Sequence, residues 1–220
     1  MKVLIGFLLI ALFTEDVVGQ SFSRAGRREY SLQPQLFGSR SYTFADGAAA
    51  RIDGGVGIGL GFAQHLNDYL AFGVDFAMGT LDYRATITPG AGNTGAAFDS
   101  SGVMERASLR LHGTWHLFSG RTTPFLTAGV GATHLDPDLE SAPPSAGCWN
   151  YPWWGQFCGA QPPTHGMTRL SAAAGAGLRH ELAGERGFVR LLAGAEWIDW
   201  PGPPNTLRNV ELRADFGARF

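Results

Sequence analysis

The chain lacks most of the features by which membrane and nucleic-acid proteins are recognised. Beyond its first twenty residues it has no apolar run approaching the roughly 20 residues of a membrane helix, so helical spans are excluded there. Cysteine is scarce. Cys148 and Cys158 are the only two, and no histidine lies between them, which is too few ligands for a metal centre. Neither sign of charge dominates. Lys and Arg total 17 against 19 Asp and Glu, a net charge of −2, so nothing points to a nucleic-acid partner. Mean hydropathy is −0.03, the average expected when oily and polar faces cancel.

At the N-terminus, Lys2, the apolar stretch Val3 to Phe13 and the small residues to Gly19 read as a secretory signal, with cleavage expected after Gly19. Residues 20–220 then form one domain. Removing Lys2, Glu15 and Asp16 moves the charge from −2 to about −1.

The strongest signal is period two. From Leu207 to Phe220, Val210, Leu212, Ala214, Phe216, Ala218 and Phe220 alternate with Asn209, Glu211, Arg213, Asp215, Gly217 and Arg219. A strand sends successive side chains to opposite faces, so one wall is apolar and the other charged. Seven further segments repeat the pattern: Glu29–Phe37, Arg51–Ala63, Tyr69–Tyr83, Val103–Phe118, Thr123–Leu135, Met167–Leu182 and Gly187–Asp199. Short turns (Gln64–Asp68, Ser119–Thr122, Ala183–Arg186) alternate with long loops (Gly38–Ala50, Arg84–Gly102, Asp136–Gly166) and the intermediate Trp200–Thr206. The expected fold is all-β: an eight-stranded antiparallel up-and-down barrel with lipid outside, short periplasmic turns and long outer loops. Glu105, His134 and His180 fall on the lipid face near strand ends, where a polar group costs little. Aromatics are expected at both lipid interfaces: Phe62, Tyr69, Trp115, Phe118, Phe125, Phe188 and Phe220 at one, Tyr83, Trp197 and Trp200 at the other.

The strand rhythm, the segment GGVGIGLGFAQHLNDYLAFGVDFAMGTLDYRATI and the ending ELRADFGARF resemble the small outer-membrane barrels that include the OmpA transmembrane domain and OmpW. The resemblance implies location in the cell outer membrane and contact with its lipid and lipopolysaccharide. It also implies an assembly signal at Phe216 and Phe220, read by the barrel-assembly machinery. A monomer is expected. Unlike OmpA, no periplasmic domain is expected after Phe220. The fold hosts pores, adhesins, enzymes and anchors, so it does not decide the role.

Three groups of residues carry the functional alternatives. Asp53, Asp75, Arg106, Arg110, Arg169, Arg179, Arg190, Glu196, Glu211, Arg213, Asp215 and Arg219 face the lumen by parity. They form either a salt-bridged plug or the lining of a narrow pore, as in an OmpW-like channel for small, mostly apolar solutes. Cys148 and Cys158, in an exported chain, are expected to form a disulfide. Their ring holds Trp149, Tyr151, Trp153, Trp154 and Phe157, either as a lid over the mouth or as an exposed adhesive surface. His112 and His116 share an inner face with Ser108, pointing away from lipid, so acyl-ester chemistry is not expected. GGVGIGLG lies mid-strand with no helix after it, so it is no nucleotide loop. No cofactor is expected.

Overall fold

The computed structural model describes residues 23–44, 46–139, 146–161, 163, 166–182, 186–200 and 206–220. The expected signal segment lies outside the described residues. Among the described residues eleven strands run in chain order: β1 (Arg28–Phe37), β2 (Arg40–Thr43), β3 (Ala49–His65), β4 (Leu70–Pro89), β5 (Phe98–His116), β6 (Thr122–Leu139), β7 (Gly147–Tyr151), β8 (Gly155–Gly159), β9 (Met167–Glu181), β10 (Gly187–Asp199) and β11 (Thr206–Arg219). Eight of them close a ring in the order β1, β3, β4, β5, β6, β9, β10, β11 and back to β1. The seam pairs Tyr30 with Ala218, Leu32 with Phe216 and Leu36 with Leu212, all antiparallel. No edge is left in the ring, which is the condition for strands to cross lipid.

The strands continue past the point where loops are expected. Of the segment Gly38–Ala50, residues 40–43 pair as β2 with β3, leaving a tight tip where the Phe44 amide donates to the Ala48 carbonyl. β4 and β5 stay paired out to Ile87 and Phe98. The reason lies in a switch of polarity along each strand. On β4, Phe72, Phe76 and Met78 point out, while Asp75, Ala77 and Gly79 point in. Beyond Gly79 the assignment reverses: Thr80, Asp82 and Arg84 point out, and Leu81, Tyr83, Ala85 and Ile87 are buried inside. From Leu70 to Met78 the oily outer stretch is about 20 Å tall for a strand tilted near 40°, close to the apolar band of a membrane barrel. Above it the wall stands in water and keeps its oily side within.

Three expectations are corrected here. Asp53 does not face the lumen. A bulge between Ile52 and Gly54 inserts one residue, so Ile52 turns inward, 3% exposed, and Asp53 joins Arg51 and Arg84 on the outer wall. Gly54 takes φ +116° there, a conformation open to glycine and few others. Secondly, Phe125, Phe188, Tyr83 and Trp200 are buried inside rather than ringing the lipid interfaces. Trp115, Phe118, Tyr69, Phe220 and Trp197 do stand outward. Thirdly, within the expected long loop Asp136–Gly166 the Trp-rich segment is not a loop but a β-hairpin, β7–β8, docked on the end of β4 through Thr88–Asn150 and Pro89–Trp149.

Candidate functional site: a filled lumen under an aromatic stopper

At the turn end of the lumen, Arg179 is fully buried, with its guanidinium on both oxygens of Glu29 and on Glu181. Its planar face lies 4.1 Å from the Phe188 ring centroid. The room for that ring comes from Gly217, whose absent Cβ would sit 2.1 Å from Phe188 Cζ. His65 Nε2 approaches Glu29 at 2.8 Å. Arg24, upstream of β1, is drawn in from below. Its Nε reaches Glu181 at 3.1 Å, and its Nη1 donates to the Asp68 and Phe118 carbonyls at 3.1 and 3.2 Å. Arg24 thus ties two turns across the bottom of the barrel.

The Arg24 segment is itself fastened by Asp68 in the β3–β4 turn. The Asp68 carboxylate accepts from the Arg24 amide at 2.6 Å, the Ser23 hydroxyl at 2.8 Å and the Ala25 amide at 3.3 Å. Partial burial acts to raise this carboxyl, but the three donors outweigh it and hold it below the usual carboxylate range.

Two more ionic layers lie above. In the middle, Arg213 bridges Asp75 (2.9 Å) and Asp215 (2.8 Å). Arg190 reaches the other oxygen of Asp215 at 2.9 Å. His112 Nδ1 stands 3.3 Å from Asp75, and the Gln33 amide donates to the same carboxylate at 2.8 Å. Higher up, Arg106 pairs with Glu196, and Arg110 with Glu211 at 3.2 Å. Thr133 donates to Glu196 at 2.7 Å. A void of about 10 Å³ remains among Asp75, Arg110, His112, Glu211 and Arg213, room for at most one water.

The mouth is closed by a different kind of packing. Cys148 and Cys158 are joined by a disulfide between directly opposed residues of β7 and β8. The turn of that hairpin carries Trp153, which is buried at the mouth. Four rings stand edge-on around it: Phe44 at 5.8 Å, Tyr83 at 5.9 Å, Trp200 at 6.0 Å and Tyr42 at 6.2 Å between centroids. Such edge-to-face contacts are favourable. Trp149 and Tyr151 are buried beside it, while Trp154 is half-buried and Phe157 is 37% exposed. The Tyr42 hydroxyl donates to the Arg208 carbonyl at 2.6 Å, and burial pushes its phenol up to about 12. Arg169 is half-buried, with its guanidinium 5.4 Å from the Trp200 centroid.

The structure therefore brings together Asp75, Arg190, Arg213 and Asp215, and separately Arg106, Arg110, Glu196 and Glu211. It puts Asp53 outside and leaves Arg169 at the mouth. Phe216 and Phe220 lie outward on the seam strand, 52% and 73% exposed. Sequence reading missed Arg24, Glu29 and His65. Glu29 was open to parity, since Glu29, Ser31, Gln33 and Gln35 alternate with Tyr30 and Leu32. Arg24 precedes any strand and carried no periodic signal.

No family model matches the chain, and no curated protein sequence matches it. Solved structures do. The chain is similar to Neisserial surface protein A at 14% identity, with 90% of this chain and 99% of that chain covered and a TM-score of 0.53. It is similar to the outer membrane protein OprG from Pseudomonas aeruginosa at 13% identity, covering 92% of this chain and 99% of that chain, with a TM-score of 0.54. At these identities the likeness is one of fold, that of small eight-stranded outer-membrane barrels.

Proposed function

We propose that this protein is a non-conducting barrel of the cell outer membrane that acts through its loop-side surface. The observation that carries the reading is the filling of the lumen by the described residues, with three ionic layers, a void of about 10 Å³ beside Asp75 and Arg213 and Trp153 above them. In this reading the short turns face the periplasm and the paired hairpins rise outside. Phe216 and Phe220 serve as the signal for the barrel-assembly machinery, and outer-leaflet lipid and lipopolysaccharide surround the wall. No catalysis is proposed. His112 is engaged by Asp75, and His116 is buried against His65 and Phe125, both away from lipid. An adhesive role for the Trp-rich hairpin has less support, because Trp149, Tyr151 and Trp153 are spent on packing the mouth. Purified, folded protein in planar bilayers is expected to give no steady current. Reproducible single-channel steps would overturn this reading in favour of the pore.

A further inference from the structure

Asp53 is the surplus residue of its strand. In the register, Ile52 faces Tyr83 and Gly54 faces Asp82, so Asp53 has no partner in the sheet. Its side chain does have partners. Oδ1 takes Arg51 Nε at 2.9 Å and Oδ2 takes Arg84 Nε at 3.0 Å, which holds two guanidiniums side by side. Those arginine side chains remain 63% and 72% exposed. Among the described residues neither has another hydrogen-bond or ion-pair partner. A bulge that inserts one carboxylate to align two arginines is the kind of re-aiming that bulges provide near functional sites.

The pair borders a groove of about 550 Å³ on the outside of the wall, lined also by Ser41, Thr43, Thr86, Asp99 and Ser101. Thr86 donates to Asp99 at 2.7 Å at the far side. Asp82 lies on the same face of β4, nearer the lipid, and is not part of the lining. Asp99 in the lining, and Asp53 ion-paired to both arginines beside it, balance the charges of Arg51 and Arg84, so a bare anion is not the groove's natural ligand. One end offers paired guanidinium forks, which match a phosphate. The rest offers hydroxyls and a carboxylate, which match sugar hydroxyls.

The height and the outward face narrow the ligand further. Arg84 lies four positions past Thr80, where the outer wall turns polar, hence about 10 Å above the oily band. The headgroup layer of a simple bilayer is only about 5–8 Å deep on each side. The groove also lies on the outer face of the wall, the face that a membrane barrel turns to its neighbouring lipids. We infer that the Arg51–Asp53–Arg84 cluster and its groove bind a phosphorylated sugar carried on an outer-leaflet lipid. This rests on the membrane orientation proposed above.

The test uses the whole folded barrel in non-ionic polyoxyethylene micelles, with Arg Nε–H NMR signals as the readout. Foldedness is checked first by heat-modifiable gel migration, and a chain that does not migrate as a folded barrel would count against the barrel reading instead. Glucose 1-phosphate is expected to shift the Arg51 and Arg84 signals, and the Arg51→Gln/Arg84→Gln variant to bind it about tenfold or more weakly. Inorganic phosphate and methyl glucoside are each expected to bind at least about tenfold more weakly than the sugar phosphate. In nanodiscs, a lipid with a phosphorylated sugar headgroup is expected to produce the same shifts, and phosphatidylcholine none. No shift with a folded barrel overturns the site. Equal binding of inorganic phosphate overturns the sugar, and a response to the soluble probe without one to the lipid overturns the lipid source.

Discussion

Arg213→Leu probes whether the lumen is dry. Arg213 is 5% exposed at its side chain and bridges Asp75 at 2.9 Å and Asp215 at 2.8 Å. One such contact is worth a gross Coulomb energy of about 6 kcal/mol at an effective dielectric near 20, against about 1.4 kcal/mol in bulk water. Desolvation offsets much of the first figure in the intact protein, but removing one partner leaves the others buried and undercompensated. Asp75 would keep His112 at 3.3 Å and the Gln33 amide, and Asp215 would keep Arg190. The expected loss is about 3–5 kcal/mol, read as a lower urea midpoint for unfolding from phospholipid vesicles. Adding Asp75→Asn to the variant removes the stranded charge and should recover part of that loss. In a water-filled pore, solvent would take over both carboxylates, and the variant would lose only about 1 kcal/mol or less. A loss that small, with mobility still that of the folded barrel, would refute the sealed lumen.

Trp153→Ala should lower stability by about 3–5 kcal/mol, since a large buried ring is removed from among four others. Trp153→Phe should cost far less, because among the described residues the indole N–H has no hydrogen-bond partner to lose; thermal midpoints of the two variants check this. The Asp68 anchor is sensitive to acid. Its carboxyl is held below the ordinary value near 4, so its contribution is complete above that value and disappears as pH falls through the lower, folded-state value. The protection factors of the Arg24 and Ala25 amides, with the intrinsic pH dependence of exchange divided out, should fall over that acid range and stay constant between pH 6 and 8. Asp68→Asn, whose side chain does not titrate, should show no such step.

The ring itself was legible because two independent signals agree on it. Period-two alternation gives eight walls, and the short turns at Gln64–Asp68 and Ser119–Thr122 place neighbouring strands antiparallel. The pairing inside the lumen was not legible. Arg106 and Glu196 are 90 residues apart and Arg179 and Glu29 are 150 apart. Which inward charge meets which depends on how the closed wall staggers its strands, and parity alone leaves every inward charge equivalent. The buried hairpin was hidden for another reason. Five aromatics between two cysteines read equally as a surface or a stopper, and only the docking of β7 on β4 turns Trp153 into the mouth.

An oil-outside pattern marks only the part of a strand that lies in lipid, so it does not reveal where the strand ends. On β4 the sequence Gly79-Thr80-Leu81 holds a perfect period of two while its meaning reverses: polar residues move outside and apolar ones inside. A wall that leaves lipid for water must do this if it is to keep a core, so the reversal marks the water line rather than the end of the strand. β4 makes the change without interrupting its own register. β3 makes it with an inserted residue, and β1 breaks from β2 at Gly38–Ser39 on the same side, where the Cβ that Gly54 lacks would lie 3.1 Å from the Phe37 carbonyl oxygen. Among the described strand pairings, only β3–β4 gains a residue. The residue gained is the carboxylate that aligns Arg51 with Arg84, so the lumen charge that parity misplaced is the very residue that the bulge inserts into the outer wall.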